Sequence, residues 1–305
     1  MKDQYIIFDI RPAAFRMIHG RRLIDCYMDL TTQADYTKFF AIIEAEEQRK
    51  CLNDKFDCKI GITPDDIINA HPDAEFSIIT VDNKALAAIA REVRYDINNK
   101  HMDCGVIIIE PITTYIDHGV KIGTDTVIYP GAIIEGDTTI GTGCTIGPNS
   151  RLVNMKIGNN VKIEQSTCMD GEIDDGTSFG PYSFMRNGAK IGKNCRIGCF
   201  VEMKNVVFGD ESKASHLNYI GDATFGRNVN FGCGAITVNY DGKTKSQTTV
   251  EDDAFVGCNV NLIAPVTIGK GAFVAAGSTI NKDVPPAALA IARQRQTNKE
   301  GWVKP

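Results

Sequence analysis

Arg186 and Lys204 are two cations 18 residues apart, and each directly follows a large apolar residue, Met185 or Met203, in a slot usually given to glycine elsewhere in the chain. Two fixed cations that meet in space can grip one phosphate through charge-assisted hydrogen bonds. Whether they meet depends on what a spacing of 18 means in the fold. His216 is a second candidate, because imidazole is the side chain best suited to take a proton at neutral pH. It lies in KASHLNYIGD, while Asn239, Tyr240 and Lys245 lie in VNYDGKTKSQTT, and both stretches break an otherwise regular pattern. Loops on a rigid scaffold are where function concentrates, so both are expected to be expelled loops that carry the site.

The pattern that must position these residues has a period of six. Ile116, Ile122, Ile128, Ile134, Ile140, Ile146 and Leu152 step by six without a break. After a one-residue slip the series resumes at Ile157, Ile163 and Met169, then runs from Ile173 through Phe179, Met185, Ile191 and Ile197 to Met203. Phe225, Phe231 and Thr237 form a third run, and Val250, Val256, Leu262, Ile268, Val274 and Ile280 a fourth. Two positions earlier a small residue recurs, as at Thr126, Ala132, Thr138, Cys144, Ser150, Ala189, Cys195, Ala254, Ala272 and Ser278. Strand alternation turns the small and the large residue inward together, which makes Cys144 and Cys195 core fillers. Glycine recurs directly after the large residue, as at Gly123, Gly141 and Gly198. The expected reason is the permissive φ/ψ of a sharp turn.

Six residues per face and three faces per coil predict a mainly β fold, a left-handed parallel β-helix of the hexapeptide-repeat kind over 106–283. Adjacent coils lie ~4.8 Å apart, so residues 18 apart stack and Arg186 sits over Lys204. With a seven-residue insertion between Thr237 and Val250 subtracted, Cys233, Cys258 and Ala276 share one outer edge. Such a wall of small side chains suits an elongated ligand lying against the backbone.

Ahead of the repeat, residues 1–82 read as a small α/β unit of unassigned role, with strands at 5–10 and 76–81 and helices at 35–49 and 64–70. Leu86, Ile89, Ala90, Val93 and Ile97 have helical spacing, which predicts a helix over 84–100, capped by Asp82 or Asn83, within a linker at 83–105. The arm at 284–305 is expected to wrap or cap the last coil, with Trp302 as a packing residue.

Composition excludes several classes of function. The 305 residues hold 33 Lys plus Arg against 38 Asp plus Glu with no basic block, which predicts no nucleic-acid or anionic-membrane partner. No stretch approaches the ~20 apolar residues of a membrane span or a signal peptide's core, so the chain reads as soluble and cytoplasmic. Its 10 cysteines are scattered without a CxxC pair, which predicts reduced thiols and no structural zinc. A three-histidine zinc enzyme on the same fold is excluded, since only His118 and His216 lie in the repeat.

KASHLNYIGD, GAITVNYDGKTK, VGCNVNLIAPVTIGKGAFVAAGSTI and ALAIARQRQTNKEGW resemble the acetyltransferase half of the GlmU family, bifunctional bacterial acetyltransferases and uridylyltransferases; the likeness runs from about residue 80 to 305. It implies acetyl transfer from acetyl-CoA to the 2-amino group of glucosamine 1-phosphate, with no metal required. Carried over by motif, His216 is the general base and Glu202 of VEMK orients it. Arg186, Lys204, Tyr219, Asn230 and Lys245 hold the sugar phosphate, with Asn239 and Tyr240 beside the reacting end. Cys233, Cys258, Ala276 and Arg293 contact acetyl-CoA, and the Cys233 amide serves as oxyanion donor. The resemblance also implies a homotrimer with active sites between subunits and the Lys245 loop reaching a neighbour.

Three departures stand out. Cys233 and Cys258 occupy positions where the family often has Ala and Ser, and Asn187 replaces a common Pro. The glycine-rich loop L-x-x-G-x-G-T-R-M of the uridylyltransferase half is absent, and Asp82 falls where that half supplies a metal-binding Asn, which predicts neither nucleotidyl transfer nor a Mg²⁺ site. A hexapeptide acyltransferase for another amine, or a non-catalytic scaffold on the same fold, are the alternatives.

Overall fold

The computed structural model describes the strands Gln4–Ile10, Met17–Ile18, Arg21–Arg22, Lys38–Ile43, Phe56–Ile60 and Glu75–Val81, residues 64–72, and the continuous stretch 83–302, with side chains over 64–72 and 87–302. The chain divides into two units, 1–103 with 114–119, and 104–113 with 120–305.

In the first unit, Gln4–Ile10 pairs in parallel with Lys38–Ile43 on one side and Glu75–Val81 on the other, and Phe56–Ile60 extends the sheet beyond Lys38–Ile43. The predicted strands at 5–10 and 76–81 and the short helix Pro64–Ala70 are present. The helix expected at 35–49 is instead the strand Lys38–Ile43. Its sequence KFFAII is a short continuous apolar run with aromatic and β-branched residues, which suits a parallel strand better than a helix. The long helix spans Asn83–Asp103, with Ile89, Val93 and Ile97 on its buried stripe. Asn98 Nδ2 donates to the Thr114 carbonyl at 3.1 Å, and the Arg94 guanidinium lies 4.7 Å above the Tyr115 ring.

The second unit is a left-handed parallel β-helix. Face 1 runs from Ile107–Ile108 through Arg196–Cys199, Lys213–His216 and Asn230–Phe231 to Leu289–Ala290. Face 2 contains Phe184–Arg186, the first halves of Glu202–Phe208 and Tyr219–Phe225, and Ile236–Val238. Face 3 contains Lys190–Ile191, the second halves of those two long strands, and Thr248–Val250. The predicted inward residues Ile128, Ile134, Ile146, Ile163 and Met185 are fully buried, as are the small ones from Thr126 to Ser278. Phe208, Phe225 and Phe231 stack up the axis with ring centroids 5.1 Å apart. Several buried hydroxyls are satisfied by backbone from neighbouring coils, as where Thr126 Oγ1 donates to Gly141 O at 2.9 Å and accepts from Cys144 N at 3.1 Å; Ser150 Oγ and Thr248 Oγ1 have no partner among the described residues. Burial raises the pKa of Cys195 to about 11, so that thiol is an inert filler.

Five expectations are corrected. Cys168, not Met169, is inward: Leu152 pairs with Cys168 and Val153 with half-buried Met169, because the corner after Ile163 takes five residues instead of six. The stretch around His216 is not an expelled loop. Phe208, Ala214 and Ile220 continue the inward series between Met203 and Phe225, and His216 ends a regular strand. The recurring glycines answer to crowding between coils instead of dihedral freedom: a Cβ on Gly123 would lie 2.7 Å from the Gly141 backbone carbon. Left-handed backbone falls mostly elsewhere, on other glycines such as Gly131 and Gly143 and on Asn and Asp such as Asn149, Asn160 and Asn259. Finally, the ladder continues past 283, since Leu289–Ala290 pairs with Phe273–Val274. Trp302 is 78% exposed in the single chain, beneath the Lys299 ammonium at 5.7 Å, and not packed.

Candidate active site along one face and its two edges

Arg186 and Lys204 are register partners on face 2, as the spacing predicts. Each already has a carboxylate. Arg186 Nη2 donates to Glu202 Oε1 at 2.6 Å, and Lys204 Nζ contacts both Asp222 oxygens at 3.1 Å. A guanidinium has five N–H donors, so Arg186 can hold Glu202 and still present N–H groups to a phosphate.

Asp222 is the residue the sequence reading missed. It accepts from Lys204, from Asn205 Nδ2 at 2.7 Å and from Asn239 Nδ2, and Asn239 also reaches Tyr219 Oη at 3.5 Å. Lys204 and Asp222 side chains are only 12% and 13% exposed. Desolvation pushes the Asp222 pKa up, but hydrogen bonds from Asn205, Lys204 and Asn239 outweigh it and hold the carboxyl below its ordinary value. For Lys204 desolvation pulls downward, but Asp222, with Lys245 and Tyr219, outweighs it, so its pKa is raised. Gly221 completes this edge, because a Cβ there would run into the Tyr219 ring that lies over it.

The edge between faces 1 and 2 carries the other group. Cys199 is in register with His216, the Gly234 N–H donates to His216 O at 3.3 Å, Asn259 N–H to Cys233 O at 2.8 Å, and Gly277 N–H to Cys258 O at 2.8 Å. Cys199, His216, Cys233, Cys258 and Ala276 therefore form one column. The site a Cβ on Gly277 would occupy lies 3.7 Å from Arg293 Cδ, which places Arg293 at the upper end. Within Gly232, Cys233 and Gly234, the first and third N–H groups bond neighbouring coils at 2.9 and 3.3 Å, and the Cys233 N–H is not among these coil-to-coil bonds. The His216 ring contacts Cys199 Sγ at 3.5 Å through Nδ1, while Glu202, one face away, is engaged with Arg186.

Of the remaining sequence candidates, Asn230 lies on face 1, in register with Lys213 and away from the cations of face 2. Tyr240 and Lys245 form an antiparallel bridge at the base of the one inserted loop, with Tyr240 Oη bonded to Gly242 O at 2.7 Å. Asp241 pins the loop by accepting from the Lys243 and Thr244 amides at 2.7 Å, which lowers its pKa. No helix among the described residues is long and apolar enough to cross a membrane.

Residues 119–154 and 247–282 match the family described as bacterial transferase hexapeptide (six repeats). "Bifunctional protein GlmU" of Geobacillus sp. (strain WCH70) is 56% identical over 239 residues, 78% of this chain and 52% of the relative. The protein of the same name from Exiguobacterium sp. (strain ATCC BAA-1283 / AT1b) is 54% identical over 241 residues, 78% of this chain and 53% of the relative. Among solved structures, UDP-N-acetylglucosamine acyltransferase from Campylobacter jejuni aligns with TM-score 0.42 and 23% identity over 62% of this chain and 71% of that one. The chain spans about half the length of the curated relatives it matches. Over 78% of its length, carrying a hexapeptide-repeat left-handed β-helix, the chain is a homologue of the proteins named GlmU.

Proposed function

We propose that this protein is an acetyl-CoA-dependent N-acetyltransferase that acts on the 2-amino group of glucosamine 1-phosphate. The observation that carries the reading is the arrangement of face 2, with stacked Arg186 and Lys204 along one edge and the His216–Cys233–Cys258–Ala276 column along the other. A sugar phosphate laid across the face puts its phosphate on the cations and its amine beside the imidazole. The small side chains above His216 leave room for the donor's extended arm, and Arg293 supplies a cation at the far end for its phosphates.

In this reading the ammonium of the acceptor loses a proton to His216 as its nitrogen attacks the thioester carbonyl. The Cys233 N–H donates to the carbonyl oxygen as that oxygen gains charge; the C–S bond then breaks, the nitrogen's second proton passes to the leaving thiolate so that coenzyme A departs as its thiol, and His216 releases the first proton to solvent. Tyr219, Asn230 and Lys245 join Arg186 and Lys204 on the sugar phosphate, and Asn239 with Tyr240 stands beside the reacting end. Glu202, held by Arg186 at 2.6 Å, keeps that guanidinium in place on the acceptor side. Titrating acetyl transfer against glucosamine 1-phosphate, glucosamine and simple amines tests the acceptor: a clear preference for the phosphorylated sugar is expected. Equal rates with all of them would sink the reading.

The working form is a homotrimer with sites between subunits. Tyr182, Phe200 and Leu217 stand in one column at the face 1–face 2 edge, 56%, 57% and 58% exposed, with φ of 58°, 57° and 53°. The Tyr182 and Phe200 rings stack at 5.6 Å. Bulky apolar residues in left-handed backbone are costly, and facing water in a single chain they gain nothing in return. A neighbouring copy that covers this ridge would also bring Asn230 and the Lys245 loop of one chain to the cations of another. Light scattering is expected to give the trimer mass, and Phe200→Asp to give monomers without activity. A fully active monomer would count against the assembly.

A further inference from the structure

We infer that Cys199 is a positioning residue for His216, holding the imidazole in the tautomer that leaves Nε2 free to accept a proton. This rests on the reading of His216 as the base. The two residues are register partners on adjacent strands, with Cys199 Sγ 3.5 Å from Nδ1. Their backbones are fixed by the ladder, since Leu217 N–H donates to Cys199 O at 3.0 Å and Gly234 N–H to His216 O at 3.3 Å. The ring and the sulfur are therefore brought together by the coil spacing itself. Among the described residues no other side chain hydrogen-bonds the His216 ring, and Glu202 is committed to Arg186 at 2.6 Å.

A neutral imidazole carries one N–H, and the partner of one nitrogen decides which. With the proton on Nδ1, that N–H donates to Cys199 Sγ and the lone pair stands on Nε2, on the open side of the ring. With the thiol donating to Nδ1 the proton sits on Nε2, and the outward nitrogen cannot act as base. Cys199 and His216 both line a groove of about 350 Å³ that also contains Arg196. Only the first arrangement lets His216 act as the base, so the proposed function requires sulfur as the acceptor.

Cys199→Ala and Cys199→Ser separate positioning from bulk structure. In protein carrying ¹⁵N-labelled histidine, the wild type and the Ser variant are expected to show His216 mainly as the Nδ1–H tautomer, and the Ala variant to lose that preference. In steady-state assays with acetyl-CoA and glucosamine 1-phosphate, Cys199→Ala is expected to lower kcat about two- to tenfold with KM unchanged, the worth of one such hydrogen bond, and Cys199→Ser to recover most of it. A melting curve that coincides with wild type shows that each variant folds. If the Ala variant keeps both tautomer and kcat, the inference is overturned. A shifted tautomer with unchanged kcat leaves the thiol–ring contact standing and overturns His216 as the base, so the two failures are distinguishable.

Discussion

His216→Ala lowers kcat by about 10²- to 10⁴-fold, the range that a positioned general base contributes. The imidazole stands outside the prism at the end of Lys213–His216, exposed, while its neighbours Ala214 and Asn218 are buried. Removing it takes no volume from the core, so stability changes by less than about 0.5 kcal/mol. KM for acetyl-CoA is expected to stay near the wild-type value, because the proposed donor wall of Cys233, Cys258 and Ala276 lies in other coils. The deficit also depends on pH in a defined direction. The base is needed because the acceptor amine is protonated near neutrality. As pH rises towards the amine's own pKa, more acceptor arrives unprotonated and the gap between variant and wild type narrows. A variant that keeps more than about a tenth of wild-type kcat at neutral pH is incompatible with proton transfer by this ring. A gap that stays constant across pH points instead to a lost binding contact.

The β-helix was legible because its inward positions obey one arithmetic rule, and the same rule placed Arg186 over Lys204. What the sequence concealed follows from corner length. The steps from Ile163 to Cys168 and from Met203 to Phe208 are one residue short, and after the first of them a count of six lands on another apolar residue, Met169, beside the true inward Cys168. Counting by six therefore slides off register without an obvious sign. The same shortening hid Ala214 and Ile220, so His216 read as loop when it is strand. Asp222 closes KASHLNYIGD, the stretch that reads as an expelled loop, which hides the carboxylate a count of 18 places by Lys204. It is 18 residues from Lys204, yet the register partner of Lys204 is Gly221, and the carboxylate reaches the ammonium diagonally across the corner. The Arg186–Glu202 pair also crosses between coils at a separation of 16, which no count by 18 suggests. In the sequence Cys199 is one more scattered thiol, because only the ladder shows that it abuts His216.

Asp222→Asn is expected to lower stability by about 2–4 kcal/mol, the second large effect. The change keeps the shape of the side chain but removes the charge that Lys204 needs in a site where the ammonium is only 12% exposed. It also puts an NH₂ group where donors from Lys204, Asn205 or Asn239 now find an oxygen. Because the folded-state pKa of Asp222 is lowered, its contribution is complete above the unfolded carboxyl value, ~3.9, and is lost as pH falls through the folded value. The raised pKa of Lys204 has the opposite sense: its contribution is complete below the unfolded value, ~10.4, and is lost as pH rises through the folded one. The melting-point gap between wild type and Asp222→Asn is thus flat across the neutral range and narrows below about pH 4 and above about pH 10. Lys204→Met tests the pairing directly. Combined with Asp222→Asn it should destabilise less than the sum of the single changes, by about 1–3 kcal/mol, because each single change strands the other's charge or donors. Additive losses would mean that the two groups hold the corner independently, and that Lys204 is poised for phosphate by something other than Asp222.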